Sequence, residues 1–262
     1  MATLFKYLFI IIQFVCLCVP MHAQFNVDKY DKLNFLLGTL DEYMGYDRSF
    51  VPARGQRSYQ KVDIFYKEEL KNTFFMQDLF KTQYPDLYIE NNFAPKGIVL
   101  FSPKLSQEID RFFEYKPSGN YSLAGDTVYA GTIKSDMIIT EQQKRSYILG
   151  ILVRAGYKKD GAGVYTVGLP NAGPKAAFLS KLLQELACED VQYTISQGWI
   201  PVGHYVRFKP SIQVGEIIDD AYQLRSQIAA IDVSTVAFKS NGRLSARFKQ
   251  SPLDIWRLTL DN

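Results

Sequence analysis

The sequence predicts an α+β protein: a helical N-terminal lobe followed by a ferredoxin-like βαββαβ sheet that a C-terminal hairpin strand extends. Two patterns lead to this fold class. Apolar residues recur at helical spacing in several separate segments, and short alternating runs lie between such segments in the second half. With 262 residues, of which 47% are hydrophobic, the chain can bury a full core as one large or two small domains.

The first residues have the composition of a secretory signal peptide. Lys6 precedes an apolar run over 7–19, and Ala23 before Gln24 supplies a small residue at a cleavage point. This run is shorter than the roughly 20 apolar residues that a membrane-spanning helix needs, so we expect no stable membrane insertion after cleavage. The sequence therefore predicts a signal peptide over 1–23 and export to the periplasm or cell surface of a bacterium.

The net charge limits which partners the protein can have, and the cysteine content indicates what kind of protein it is. The chain has a formal net charge of +3 at pH 7, too small for a global field that attracts nucleic acid or membranes. Beyond the signal peptide, the sequence contains one histidine, His204, and one cysteine, Cys188. A single cysteine allows no internal disulfide, which favours a bacterial protein over a small secreted animal domain. We expect no nucleic-acid partner.

The first lobe is predicted to span 24–120. Its elements are a helix, a short strand with a second helix, a buried strand and a third helix, over residues 27–45, 61–84, 97–101 and 103–112. Ser102 is the expected N-cap of the third helix, and Pro103 suits its first turn. A turn-rich segment over 117–126 is the expected boundary between the lobes.

The second lobe is predicted to span 121–262 and opens with the best-defined helix. Thr140 and Gln143 have the spacing of a capping box, and Gly156 ends the helix. Strand, helix, strand, strand, helix and strand then follow over residues 164–169, 174–186, 191–196, 203–209, 217–228 and 232–239. Neighbouring positions for 164–169 and 203–209 are the central expectation of this architecture.

A last hairpin is expected around Ser240-Asn241-Gly242. A three-residue loop there pairs Phe238 with Leu244 and Val236 with Ala246, which puts apolar side chains on one face. A two-residue Asn-Gly loop would mix the faces. The sequence therefore favours the three-residue loop.

Two segments of this lobe resemble the SPOR domain family, whose members bind peptidoglycan glycan strands stripped of their stem peptides. The residues that carry the resemblance are Tyr165-Thr166-Val167 and Tyr205-Val206-Arg207-Phe208-Lys209-Pro210. Gly168-Leu169-Pro170 and Lys209 depart from the family's usual pattern. The resemblance implies a βαββαβ fold over 164–239 and cell-wall glycan as the partner.

The sequence lacks the residues that nucleophilic catalysis, a metal site or a nucleotide site would need. His204 is the one histidine available to a nucleophile, and its period-two spacing with Val206 and Phe208 predicts a buried face. One histidine and one cysteine cannot build a zinc site, and no calcium loop is present. The loop over 168–176 lacks the Gly-Lys-Ser/Thr of a phosphate loop, so we expect no nucleotide and no other cofactor.

The face of the sheet opposite the helices is the candidate ligand-binding surface. Strand alternation places polar and cationic side chains on it, and arginine forks suit carboxylates and phosphates. The candidate residues, including one in a loop that could stack on a sugar, are Thr166, Thr194, Trp199, Tyr205, Arg207, Arg243 and Arg247. Antiparallel sheets also show water one polar face without binding anything, so a solvated surface is the alternative.

The sequence thus favours an exported cell-envelope protein that acts as a non-catalytic binding or scaffold module for cell-wall glycan or another anionic polysaccharide. The alternative is a glycan-directed envelope hydrolase that uses a carboxylate pair. Such a pair would be Glu216 with Asp219 or Asp220, or Glu185 with Glu189, and a solvated helix face explains the same acids. No catalytic residue is assigned.

Overall fold

The computed structural model of the protein describes residues 25–26, 28–40, 46–49, 61–91, 97–121, 127–196, 198, 201–233, 238–240 and 243–245. The helices within these ranges are α1 (Lys32–Thr39), α2 (Leu70–Phe80), α3 (Pro103–Asp110), α4 (Glu141–Ala155), α5 (Gly173–Glu185) and α6 (Ile212–Ala229). The strands of the first half are β1 (Tyr46–Ser49), β2 (Lys61–Phe65), β3 (Tyr88–Asn91), β4 (Ile98–Phe101), β5 (Phe113–Tyr121) and β6 (Thr127–Ile133). Those of the second half are β7 (Lys158–Lys159), β8 (Tyr165–Pro170), β9 (Glu189–Ser196), β10 (Gly203–Lys209), β11 (Phe238–Ser240) and β12 (Arg243–Ser245). The predicted α+β class is confirmed.

Helix α4 begins and ends where its sequence predicts. The Thr140 hydroxyl accepts a hydrogen bond from the Gln143 amide at 3.2 Å, and Gln143 Oε1 accepts one from the Thr140 amide at 3.0 Å. This capping box satisfies two amide donors that the first turn would leave unpaired. Gly156, with φ of 72°, follows the last residue in a conformation that favours glycine. None of the helices in the described ranges is both long and apolar enough to cross a membrane.

Helices α1 and α4 pack together through two glycines at the centre of the core. A Cβ atom on Gly38 would lie 2.1 Å from the carbonyl oxygen of Tyr147. A Cβ atom on Gly150 would lie 2.0 Å from the carbonyl oxygen of Phe35. Both distances are far below van der Waals contact, so the close approach of these helices requires glycine at both positions.

One charged side chain ties the end of α4 to the first half of the chain. Arg154 is 6% exposed and forms an ion pair with Asp63 of β2, whose side chain is fully buried. Its Nε donates to Glu69 at 2.8 Å, and its Nη1 donates to the Thr39 carbonyl at the end of α1 at 2.6 Å. The last turn of α4 is thereby fixed to α1 and to β2 at the same point.

The second half contains a four-stranded antiparallel sheet in the order β7-β8-β10-β9. As expected, β8 and β10 are neighbours, paired from Tyr165 and Phe208 to Pro170 and Gly203. Helix α5 packs on one face of this sheet, and α6 packs against α4 and α2. The opposite face of the sheet is the open face described below.

The predicted fourth strand of the βαββαβ order does not join this sheet. Strand β11 instead pairs in parallel with β3 through Lys239 and Glu90, in a sheet with the order β12-β11-β3-β4-β2. Because α6 packs against α2, the chain leaves α6 beside the first half of the molecule. The ferredoxin-like arrangement over 164–239 is therefore wrong, although its first five elements follow the predicted order.

The register of the last hairpin also differs from the prediction. Phe238 pairs with Ser245, Lys239 with Leu244 and Ser240 with Arg243, which leaves two residues between the strands. The three-residue loop was favoured by matching apolar faces on a sheet that β11 does not join. A two-residue Asn-Gly connection is the commonest hairpin loop chemistry, and that local preference agrees with the observed register.

The remaining sheet has three strands in the order β1-β6-β5. Strand β5 runs antiparallel to β6 from Phe113 opposite Ile133, and β1 pairs with the other edge of β6. Phe113 and Ile133 are buried, so this sheet also turns one face to the core. Helix α5 contacts β6 as well as the four-stranded sheet.

Candidate functional site

The open face of the four-stranded sheet carries a row of polar residues, one from each strand. Lys158 of β7 lies opposite Thr166 of β8, Thr166 lies opposite Arg207 of β10, and Arg207 lies opposite Gln192 of β9. Directly opposed residues project to the same face. We call Lys158, Thr166, Arg207 and Gln192 the cross-strand row; at about 4.8 Å between strands it is about 14 Å long.

A tyrosine lies flat beside this row. Tyr205 of β10 is opposite Gly168 of β8 and Thr194 of β9. A Cβ atom on Gly203 would lie 2.7 Å from Cε2 of Tyr205, and one on Gly168 would lie 3.4 Å from Cε1. The ring therefore occupies the space that the missing glycine side chains leave, and it presents a flat aromatic surface that is 41% exposed.

Arg207 is held from one side by a carboxylate. Its Nη2 lies 3.0 Å from Oδ2 of Asp160, which follows β7. The other oxygen of Asp160 accepts hydrogen bonds from the amides of Ala162 and Val164 at 3.0 and 2.9 Å. The Val164 amide is the main cause that lowers the pKa of Asp160, and the Ala162 amide and Arg207 add to it. Asp160 is therefore ionised at neutral pH.

A second ion pair lies at the same end of the sheet. Lys209 Nζ is 2.8 Å from Oδ2 of Asp190, near a bulge in the pairing of β10 with β9. Lys209 lowers the pKa of Asp190 through a hydrogen bond and its charge. Both partners are exposed, so the pair contributes little to folding. It is a lysine counterpart of the Asp160–Arg207 pair.

The one described histidine points to the other side of the sheet. His204 Nδ1 lies 2.6 Å from the Tyr193 hydroxyl, and the two rings stack at 5.9 Å. A Cβ atom on Gly173 would lie 3.0 Å from His204 Cε1, so the ring packs against the start of α5. Cys188 is half-buried, and burial raises the pKa of its thiol. Neither side chain is placed for nucleophilic chemistry on the open face.

Two of the acids considered for hydrolysis, Glu216 and Asp220, are each engaged with a cation. Glu216 accepts a hydrogen bond from Arg145 at 2.8 Å, which lowers the pKa of Glu216. Asp220 contacts Lys29 and the Tyr30 hydroxyl. Within the described ranges, three or more His, Cys, Asp or Glu side chains nowhere come together as a metal-binding group.

The predicted ligand-binding residues do not form one surface. Four share the open face of the four-stranded sheet: Thr166, Thr194, Tyr205 and Arg207. Arg243 lies in β12 of the five-stranded sheet, so it does not stand on a strand adjacent to Arg207. Trp199 and Arg247 lie outside the described residues.

Two residues of this surface were missed by the sequence reasoning. Lys158 and Asp160 belong to a strand of two residues and the turn that follows it, which is too short to show a period. The usable signal was Asp160-Gly161-Ala162-Gly163, a turn-rich stretch directly before the strand at Tyr165. Such a stretch after Lys158-Lys159 indicates a hairpin.

Comparison with known proteins finds similar solved structures but does not show a family for this chain. No family model matches the sequence, and no curated protein matches it. The solved structures that the chain resembles include those of the homing endonuclease I-DmoI. One is a mesophilic variant, 17% identical, with a TM-score of 0.44 over 74% of this chain and 95% of that chain. Another is I-DmoI with its target DNA in the presence of manganese, 18% identical, with a TM-score of 0.42 over 74% and 93%.

These findings correct the functional expectations. The structures found are homing endonucleases, two of them with DNA, and not peptidoglycan-binding SPOR domains. The position of β11 in another sheet removes the topology on which the SPOR resemblance depended. The predicted envelope glycan-binding or scaffold module, its glycan-hydrolase alternative and the exclusion of nucleic acid are therefore wrong. At such low identities and TM-scores, the likeness assigns no activity to this chain.

Proposed function

We propose that the protein binds duplex DNA through the open face of the four-stranded sheet, with the cross-strand row in the major groove. The observation that carries this proposal is the alignment of Lys158, Thr166, Arg207 and Gln192 across all four strands. The low-scoring likeness to I-DmoI, which has been determined with its target DNA, carries none of it.

The residue types of the row suit base recognition. Arginine can donate two hydrogen bonds to guanine, glutamine can pair with adenine through two, and threonine can contact either base. Arg207 and Gln192 are directly opposite each other on adjacent strands, so they can reach neighbouring base pairs. A sheet face thus offers base contacts at a spacing that its register fixes.

The shape of the surface favours DNA over duplex RNA. The major groove of B-form DNA is about 12 Å wide and admits a two-stranded ribbon. Strands β10 and β9, which carry Arg207 and Gln192, would enter the groove, while Lys158 on the opposite edge strand β7 would meet the phosphates at its wall. The major groove of A-form RNA is too deep and narrow for side chains on a sheet to read.

Few apolar side chains interrupt this face. Tyr205 lies flat, and its partners across the strands are Gly168 and Thr194. Because the ring lies flat, it projects little from the sheet. The edges of the bases can therefore come close to the backbone of β8 and β10. The tyrosine hydroxyl also supplies a donor for a phosphate or a base edge.

The test is duplex binding by a double variant and a matched control. Arg207→Ala with Gln192→Ala removes one cation and one amide from the row. Lys181→Ala with Gln184→Ala also removes one cation and one amide, from exposed positions of α5 away from the open face. Fluorescence anisotropy with a labelled duplex pool should show at least about tenfold weaker binding for the first variant and little change for the second.

Two results would contradict the proposal. One is equal affinity of both double variants and the wild-type protein. The other is the absence of any duplex binding at about 50 mM salt, where phosphate contacts are strong. Duplex RNA and single-stranded DNA of the same sequence serve as competitors, and better binding to either would overturn the major-groove placement.

A further inference from the structure

We propose that Asp160 is a positioning residue. It orients the Arg207 guanidinium for hydrogen bonds to base edges and weakens the attraction of Arg207 to phosphates. This inference rests on the proposed DNA-binding function and names the residue that sets its selectivity. The juxtaposition that carries it is a loop-fixed carboxylate against the guanidinium at the centre of the cross-strand row.

Asp160 is fixed by its own loop and not by Arg207. Its Oδ1 accepts from the amides of Ala162 and Val164, and its backbone amide donates to the Val164 carbonyl at 2.9 Å. Gly163 donates to the Asp160 carbonyl at 3.1 Å and has φ of 76°, which closes the turn. The carboxylate therefore stays in place whether or not Arg207 contacts it.

The contact uses only part of the Arg207 donor set. Arginine has five N–H donors in a planar fork, and Asp160 takes a hydrogen bond from Nη2. The remaining donors of Arg207 can still form the paired hydrogen bonds that a guanine edge accepts. A fixed partner lowers the number of guanidinium orientations, so the fork is presented in one geometry.

The charge of Asp160 changes what Arg207 prefers. A phosphate attracts Arg207 mainly through charge, and the adjacent carboxylate cancels much of that attraction. A guanine edge is neutral and binds through hydrogen-bond geometry, which the carboxylate preserves. The pair should thus reduce binding to arbitrary DNA and increase the difference between a matched and a mismatched site.

The chain contains a matched control for this effect. Asp190 and Lys209 form a carboxylate–cation pair on the same sheet at a similar distance. Lysine is a point charge without a fork, so releasing it adds attraction to phosphates and removes no base contact. Asp190 has φ of 51°, a conformation that asparagine tolerates well, so Asp190→Asn preserves the backbone.

The experiment is selection from a randomised duplex DNA pool, followed by affinity measurements at several salt concentrations. Asp160→Asn keeps an oxygen for the loop amides and removes the charge. We expect discrimination at the base pair read by Arg207 to fall at least about fivefold. The slope of log K against log salt should steepen by about 0.9, as for one added phosphate contact. Asp190→Asn should steepen the slope and keep the discrimination.

A second variant keeps the test valid if Asp160→Asn disturbs the loop. Arg207→Lys leaves Asp160 intact and can still pair with it, yet it should lose the same discrimination because the fork is gone. Unchanged selectivity in Asp160→Asn, with duplex binding retained, overturns the positioning role alone. Failure of the wild-type protein to bind any duplex of the pool overturns both this role and the DNA-binding function.

Discussion

Gly38 of α1 and Gly150 of α4 face each other where the two helices cross. A Cβ atom on Gly38 would lie 3.1 Å from the Cα of Gly150, and one on Gly150 would lie 3.0 Å from the Cα of Gly38. Each would also overlap a carbonyl oxygen of the opposite helix. The two helices are therefore in backbone contact, and any side chain at this point must push them apart.

The first prediction concerns this crossing. Gly150→Ala should lower the free energy of unfolding by about 3 kcal/mol or more, because the new methyl group meets backbone that cannot rotate away. Gly215→Ala is the control, since Gly215 lies in α6 and a Cβ atom there would have no heavy atom within 4 Å beyond its own helix. That change should raise the free energy of unfolding by about 0.5–1 kcal/mol through helix propensity. Urea denaturation measures both, and equal effects would contradict the glycine contact.

The second prediction concerns the buried guanidinium. Arg154→Met should destabilise the fold by about 3–5 kcal/mol, because the fully buried carboxylate of Asp63 loses its guanidinium partner. Lys81→Met, which removes one partner of the exposed pair with Asp78, should change stability by less than about 1 kcal/mol. Adding Asp63→Leu to Arg154→Met should recover part of the loss. A small effect of Arg154→Met in thermal denaturation would disprove the role of this cluster.

The third prediction concerns the pH dependence of Cys188. Burial raises the pKa of its thiol, so at a given pH the folded protein has less reactive thiolate than the unfolded chain. Alkylation of Cys188, followed by peptide mass spectrometry, should reach its half-maximal rate at a higher pH in the native protein than in urea. Equal rates at about pH 8 in both conditions would contradict the burial.

The fourth prediction concerns export. The signal peptide that we expect over residues 1–23 lies outside the described residues. Expressed in a bacterial host, the chain should be recovered from the envelope fraction with Gln24 at its N-terminus. Replacing Ala23 by Phe should block this cleavage, because the peptidase needs a small residue there. Intact Met1 on cytoplasmic protein would end the hypothesis.

Local signals predicted the elements of the second half well. Thr140 and Gln143 lie within one turn, so their capping box depends on nothing distant. The pairing of β8 with β10 follows from two strands of matching alternation that flank α5 and β9. Such features are decided by neighbours in sequence, which is why the sequence alone predicts them.

Features that depend on distant partners were not predictable in the same way. The apolar run around Val236 indicates a strand but not the sheet it joins, and β11 pairs with β3 of the first half. The similar triplets Leu36-Leu37-Gly38 and Ile148-Leu149-Gly150 were a usable signal for the helix crossing. Strand alternation predicted that Arg207 and Thr194 lie on the same face of one sheet. It could not show that Arg243 lies in a different sheet from Arg207.

The pairing of Lys239 with Glu90 has a consequence for synthesis of the chain. Strand β3 cannot gain its β11 neighbour until residues 238–240 have left the ribosome, whereas its other neighbour β4 follows at once. During translation, β3 is therefore an edge with unpaired amides and carbonyls, the kind of edge that recruits other strands. Chains that terminate before β11 should aggregate through this edge, and a chaperone that covers it until translation ends would raise the yield of folded protein.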